Sequence, residues 1–327
     1  MSALLAVEGL TATLPTEGGP LSAVRGVDIT LARGETLGIV GESGCGKSMT
    51  ALSLLGLLPQ GASLGADRYA FEGEDILAAG KKGVARLRGA RVGMIFQEPM
   101  TALNPTFRIG DQLTAVYRRH KGGSAREARA RAAELLARVG ISNAEVRLNQ
   151  YPHQLSGGLR QRVMIAMALM CSPTLLIADE PTTALDVTIQ MQLLKLIQSL
   201  TDDFDMGLIL ITHDLGVVSH IADRVAVMYA GQVVEAGPTA EILNHPRHPY
   251  TRGLLDSLPK PDPAHRDGRR LSTIPGTVPS LIDPPEACAF AERCTRTLPR
   301  CRETMPRLEG DGMRQVRCFN PIGEAAQ

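Results

Sequence analysis

The sequence predicts an α/β fold, in which a nucleotide-binding core is interrupted by a helical insertion and followed by a small cysteine-bearing extension. Three observations lead there. A short apolar run, Thr36–Val40, ends in a glycine-rich loop and passes into an apolar helix expected over Lys47–Leu58, the usual start of an α/β nucleotide site. Strand-like apolar runs return at Thr174–Ala178, Gly207–Thr212 and Arg224–Tyr229. From about Pro238 the chain turns Pro- and His-rich, then Pro-, Cys- and Arg-rich, as at a domain boundary.

In chain order, Leu4–Leu10 and Ala23–Leu31 read as strands, Arg33-Gly34-Glu35 as a turn, and Arg91–Phe96 as a further buried strand. Between about 98 and 170 the character is helical. Arg126–Val139 is rich in Ala, Arg and Glu, and Ser124 and Glu127 carry capping-box spacing. The nucleotide-binding motifs occur once. The 327 residues, 44% of them hydrophobic, suffice for one large domain and an appendage. With 35 Lys and Arg against 34 Asp and Glu, a net charge of +1 gives no reason to expect nucleic acid as a partner. Aromatics are 3% and Trp is absent, which argues against stacking on exposed bases. The longest apolar runs, such as Ala51–Leu58, are far shorter than the roughly 18–20 residues that span a bilayer. The opening MSALLAVEGL has no basic leader and carries Glu8, so no signal peptide is expected. A cytoplasmic protein is expected, with its six cysteines reduced.

Gly41-Glu42-Ser43-Gly44-Cys45-Gly46-Lys47-Ser48, followed by Met49, fits the phosphate-loop pattern. Its glycines let backbone N–H groups turn toward phosphates, and the following helix start favours their charge. Lys47 is expected to reach the β- and γ-phosphates and Ser48 to ligate Mg²⁺. Cys45 has two readings: a small side chain filling a position whose backbone does the work, or a thiol made acidic by the helix start and Lys47 and so easily alkylated.

Four further elements share the chain with this loop: Phe96-Gln97-Glu98-Pro99, Leu155-Ser156-Gly157-Gly158-Leu159-Arg160-Gln161, the apolar strand Leu176–Ala178 ending in Asp179-Glu180, and Thr212-His213-Asp214. Together with Ala184-Leu185-Asp186 they resemble the Q-loop, signature, Walker B, switch-histidine and D-loop motifs of the ATP-binding-cassette (ABC) ATPases. The resemblance covers roughly residues 4–240. It implies a P-loop ABC ATPase core with an antiparallel β subdomain and a helical subdomain. It also implies roles. Glu180 is the general base toward the attacking water, and His213 contacts the γ-phosphate. Gln97 senses Mg²⁺ and the water, Asp179 holds Mg²⁺ with Ser48 and Gln97, and Lys47 binds phosphate. Ser156, Gly157, Gly158 and Gln161 open an apolar helix, a second anion-binding helix start, which by resemblance closes over the ATP of another subunit. One cassette per chain implies pairing. Leu14 stands where the family usually has an aromatic residue stacked on adenine, so the base is expected on an aliphatic side chain or a partner residue.

Beyond the cassette, His245-Pro-Arg-His-Pro249-Tyr250-Thr251-Arg252-Gly253, Ile274-Pro275-Gly276 and Cys288-Ala-Phe-Ala-Glu-Arg-Cys294 resemble the C-terminal extension of dipeptide and oligopeptide importer ATPases, as does Met100–Pro105 after Gln97. The expected division is a nucleotide-binding domain over 1–238, its helical subdomain at about 98–170, and an extension over 239–327. The resemblance implies import of di- or oligopeptides, with nickel or glutathione as alternative cargo. The implied partners are a second homologous ATPase in a heterodimer, two transmembrane permease subunits and an extracytoplasmic binding protein, with the chain peripheral at the cytoplasmic face of the inner membrane. Cys288, Cys294, Cys301 and Cys318 lack the C-x₂-C spacing of zinc ribbons. In the resembled family this extension can carry a [4Fe–4S] cluster; zinc or unligated thiols are the alternatives. Because the cassette motifs are complete without it, such a cluster is not expected to touch the ATP chemistry. A DNA- or ribosome-directed ABC ATPase is the rival class, but tandem cassettes, long coiled coils and basic arms are missing. A non-hydrolysing regulatory subunit is a second rival, disfavoured by Lys47, Glu180 and His213.

Overall fold

The computed structural model describes residues 3–98, 102–182, 186–258, 273–311 and 313–323. The expected Pro99–Thr101 part of the Q-loop region and Ala184-Leu185 of the D-loop lie outside them. Two sheets organise the chain. The first is antiparallel: β1 (Leu5–Thr16) and β2 (Gly19–Leu31) form a long hairpin, and β4 (Ser63–Gly65) and β5 (Arg68–Phe71) pair with β1, with β6 (Glu74–Asp75) beyond. Strand β1 runs six residues past the expected end at Leu10. The register shifts between Val7 and Leu10, around Gly9 with φ +63, and such a bulge breaks the alternation that marks a strand in sequence.

The second sheet holds β3 (Thr36–Val40), β7 (Val92–Ile95), β8 (Leu175–Asp179), β9 (Gly207–Thr212), β10 (Arg224–Tyr229), β11 (Gln232–Pro238), β12 (Glu309–Gly310) and β13 (Gln315–Val316), in the order β12-β13-β11-β10-β3-β9-β8-β7. From β10 to β7 the pairing is parallel. Every residue of β3, β8 and β9 is buried, which is why these strands read as unbroken apolar runs. The side chains of β8 and β9 alternate between two cores. Leu175, Ile177, Ile209 and Ile211 face the antiparallel sheet. Leu176, Ala178, Leu208 and Leu210 face the helical side, where α3 (Ile109–Lys121), α4 (Ala125–Arg138), α5 (Ala144–Leu148) and α6 (Gly157–Ala168) gather. Helix α4 starts at Ser124 with both arms of the capping box made. The remaining helices are α1 (Lys47–Leu54), α2 (Gly80–Leu87), α7 (Val187–Asp203), α8 (Leu215–Ile221), α9 (Thr239–Asn244) and α10 (Pro249–Asp256). Helix α1 stops four residues short of the expected Leu58, because Gly56 turns to φ +57 and Pro59 cannot continue a helix.

The extension shares its core with the cassette. Val40, Val225, Val227 and Tyr229 pack with Tyr250, Leu281 and Phe290, and β13 pairs antiparallel with β11. Among the described residues no helix is long and apolar enough to cross a membrane.

Candidate nucleotide site

The phosphate loop joins β3 to α1. Gly41 has φ +156, and a Cβ there would stand 2.2 Å from the Met228 carbonyl; at Gly46, φ +101, it would stand 2.4 Å from the Ala23 carbonyl. No L side chain fits either position. Lys47 is buried. Its Nζ donates to the carbonyls of Gly41 at 2.8 Å and Glu42 at 3.0 Å, which holds the ammonium inside the loop.

The Walker B strand β8 delivers Asp179 and Glu180 to the same place. The Ser48 hydroxyl donates to Asp179 Oδ1 at 2.9 Å. Burial raises the Asp179 pKa; the Ser48 hydrogen bond pulls it down and the neighbouring Glu180 charge pushes it up. A hydroxyl and a carboxylate side by side are the hard oxygen donors that suit Mg²⁺. Glu180 sits at φ +43, an uncommon backbone for a non-glycine residue and one often found at functional sites. Its Oε2 accepts from Gln97 Nε2 at 3.3 Å and lies 3.5 Å from His213 Nδ1. Lys47, Ser48, Gln97, Asp179, Glu180 and His213 are therefore brought together from β3–α1, β7, β8 and β9. A carboxylate held beside a phosphate cradle, with an imidazole and an amide at its oxygens, can position and deprotonate a water.

Other residues of the motifs do different work. The Glu42 carboxylate points away from the loop into a two-pronged ion pair with Arg293, 2.6 Å and 2.9 Å, and its backbone N–H donates to the Tyr250 hydroxyl at 2.9 Å. Cys45 is fully buried and burial raises its thiol pKa despite Lys47 nearby, which favours the filler reading over the easily alkylated thiol. Ser156 is the N-cap residue of α6. Gly157 and Gly158 are different from the loop glycines: a Cβ on either would meet nothing within 4 Å. Gln161 turns inward, buried, and its Nε2 donates to the Pro181 carbonyl at 2.6 Å, tying the signature helix to the end of β8. Asp186 caps α7 by accepting from Ile189 N at 3.0 Å.

The extension reaches the phosphate loop through Tyr250 and Arg293. Arg293, Tyr229, Tyr250 and Phe290 form one packed group behind the loop; the ring centroids of Tyr229 and Tyr250 are 4.7 Å apart and those of Tyr250 and Phe290 5.4 Å. A cleft of about 560 Å³ runs from Lys47, Ser48, Gln97 and Glu180 to Leu14, Leu21, Val278, Leu281 and Ile282. The residues from 250 onward lie some two hundred positions from the loop, so no local spacing in the sequence pointed to them.

Among the described residues no three Cys, His, Asp or Glu side chains gather closely enough to hold one metal ion, so the four extension thiols do not make the tight tetrahedron that zinc requires. They do share one environment. Burial pushes the Cys288 and Cys318 thiols up to about 11, and the charges of the other extension cysteines add to it. Backbone N–H groups of Arg296, Leu298 and Asn320 point at the sulfurs of Cys294, Cys301 and Cys318 at 3.4 Å, 3.5 Å and 3.4 Å.

Residues 24–183 match the ABC transporter family and residues 234–301 the oligopeptide/dipeptide transporter C-terminal region. The chain is 50% identical to the dipeptide transport ATP-binding protein DppD of Bacillus subtilis (strain 168), over 94% of this chain and 91% of that one. It is 49% identical to the oligopeptide transport ATP-binding protein AppD of the same organism, over 100% and 99%. Among solved structures it resembles cbiO1 from Clostridium perfringens, part of the ABC transporter complex cbiONQ, with a TM-score of 0.63 and 29% identity over 75% of this chain and 92% of that one. A dimeric ATP-binding cassette in a post-hydrolysis state with ADP and Pi gives 0.63 and 25%, over 72% and 98%. The fold and site define an ABC ATPase. The chain belongs to the family of ABC-transporter ATP-binding subunits that carry the oligopeptide/dipeptide C-terminal region.

Proposed function

We propose that this chain hydrolyses ATP to drive import of di- or oligopeptides, as one of two homologous ATPases in a heterodimer beneath two permease subunits at the cytoplasmic face of the membrane. An extracytoplasmic binding protein delivers the peptide. The match of the whole chain, extension included, to peptide-transport ATP-binding proteins carries this reading. In hydrolysis Lys47 and the loop N–H groups bind the phosphates. Glu180 takes the proton of the attacking water, oriented by His213 and Gln97. Bound Mg²⁺, beside Ser48 and Asp179, would neutralise developing charge on the phosphates. The signature of each ATPase closes over the other's nucleotide. An apolar groove lined by Leu57, Met94, Phe96, Ala102, Val116 and Met167 lies next to Gln97 in the chain, and its Phe96 is exposed. Such a patch suits a permease helix, whose movement would follow Gln97.

The test is reconstitution of the chain with its homologous ATPase, permease subunits and binding protein. Peptide-loaded binding protein should stimulate ATPase activity. Glu180→Gln in this chain, with the matching change in the second ATPase, should keep ATP binding and lower turnover about 100-fold or more. Stimulation by a nickel- or glutathione-loaded binding protein, with none by peptide, would reassign the cargo.

We further infer that Cys288, Cys294, Cys301 and Cys318 hold a [4Fe–4S] cluster, which would tie this weakly structured segment together. A cubane keeps its thiolates further apart than a single ion does, which agrees with one buried and three half-buried thiols that influence one another's charge without forming a tight cluster. Anaerobically prepared protein should contain about four irons per chain, and Cys301→Ser should lose them. A colourless preparation with four titrating thiols, or with one zinc, would overturn the cluster and leave the transport reading standing.

A further inference from the structure

The family usually places an aromatic ring against adenine, and here that position is Leu14. The cleft shows what stands in its place. At the phosphate end it is lined by Lys47 and Ser48; the other end is built from Leu14, Leu21, Val278, Leu281 and Ile282, without a charged side chain. Three of those five residues come from the C-terminal extension. The contact is fixed by backbone bonds. Ser22 N donates to the Leu281 carbonyl at 2.8 Å, and Leu21 and Ile282 form an antiparallel bridge, so the segment is added to the edge of β2. Leu281 is anchored in the core that the extension shares with β10. Ile282 lies against the β1–β2 turn, where a Cβ on Gly18 would stand 3.1 Å from its Cδ1. Ser280, the one side-chain hydroxyl in this stretch, is occupied locally: it accepts from Ile282 N at 3.2 Å and donates to the Ile282 carbonyl at 3.3 Å.

We propose that Val278–Ile282 of the C-terminal extension forms the base-binding wall of this subunit, gripping the face of the purine of ATP against Leu14. The proposal rests on ATP binding alone and is independent of the cargo. A phosphate chain anchored at the start of α1 leaves the base at the apolar end of the cleft. Aliphatic side chains offer area to the flat face of a purine and nothing to its edges. Such a wall holds any purine similarly, because discrimination needs buried hydrogen-bonding groups facing the edge. It also makes the extension part of the nucleotide site, so a cassette without it would hold the base only from the side of Leu14 and Leu21.

The full-length chain tests this by equilibrium binding of Mg-ATP, Mg-GTP and inorganic triphosphate. In the unaltered protein, ATP and GTP should bind within about threefold of each other. Val278→Ser with Ile282→Ser should weaken both about tenfold, by the loss of apolar contact, and leave inorganic triphosphate unchanged. Val278→Leu with Ile282→Leu should keep the original affinities. Photolabelling with 8-azido-ATP should mark the peptide containing 278–282. Unchanged ATP affinity in the serine variant would overturn the proposal. So would parallel loss of ATP and triphosphate, which would make the segment a prop for the phosphate loop, or photolabelling confined to other peptides.

Discussion

Two helices of this protein begin at glycine-bearing loops, and their glycines answer to different masters. At α1, a Cβ on Gly41 or Gly46 would collide with backbone of the same chain, the Met228 and Ala23 carbonyls. At α6, a Cβ on Gly157 or Gly158 would meet nothing within 4 Å. The phosphate loop is thus shaped by its own fold. The signature loop has glycines that this chain's packing does not demand, which is what a surface waiting for close approach by another molecule requires. The likeness to a cassette solved as a dimer with ADP and Pi gives that reading its context. The lesson is that a glycine motif is explained only when its crowding partner is named, and here one loop has that partner within the chain.

The sharpest test of the contrast pairs one substitution in each loop. Gly46→Ala combines a 2.4 Å backbone clash with φ +101, so the loop must shift. Loss of several kcal/mol of stability, or of ATP binding outright, is expected. Gly157→Ala should leave the unfolding midpoint of the isolated chain within about 0.5 kcal/mol and its ATP affinity unchanged, while ATPase activity in the assembled transporter falls. If Gly157→Ala destabilised the isolated chain as Gly46→Ala does, the contrast would be gone.

A smaller effect is expected behind the phosphate loop, where the extension grips it. Arg293 is buried and reaches both oxygens of Glu42, whereas the signature helix is tied back by a neutral bond, from Gln161 Nε2 to the Pro181 carbonyl. Arg293→Met keeps an unbranched apolar stem and removes the charge. Because Glu42 remains partly exposed and can recover some hydration, a loss of about 2 kcal/mol is expected, below that of a fully buried pair. Melting curves of the variant, with and without saturating Mg-ATP, would check it. A variant as stable as the parent would mean that Glu42 is solvated as well without its partner.

Much of this site was legible because it lies in contiguous motifs. Lys47, Ser48, Asp179 and Glu180 follow strands whose burial on both faces makes them apolar from end to end, and Ser124 and Glu127 announce their helix by spacing alone. What could not be read was set by tertiary contacts. Gln161 carries the sign of a signature residue, yet its amide satisfies the Pro181 carbonyl. Strands β12 and β13 are two residues each, too short for any period. Arg293 and Tyr250 owe their place at the phosphate loop, and Ile282 its place in the cleft, to the extension folding back on the cassette, and no pattern within the extension encodes what it meets there.

The least of the expected effects is a titration. His248 is buried, its Nδ1 accepts from Tyr250 N at 3.1 Å to cap α10, and its ring lies 5.7 Å from that of Phe290. Burial is the main reason that its pKa falls from 6.5 to about 3. The folded protein therefore keeps His248 neutral while the unfolded chain protonates below pH 6.5. The stabilisation is complete above that value and drains away as pH falls toward 3, by about 1.4 kcal/mol for each unit once well below 6.5. Between pH 7.5 and 5.5 the protein should lose about 1.4 kcal/mol that His248→Asn does not lose, since asparagine can also cap a helix but does not titrate. Urea unfolding at the two pH values, on parent and variant, measures the difference. The same titration should be felt at the phosphate loop, because helix α10 carries the Tyr250 hydroxyl that receives Glu42 N–H, and not at the signature. Parallel pH curves for parent and variant would show that His248 is not held neutral, and would remove the extension's acid-sensitive hold on one loop of the pair.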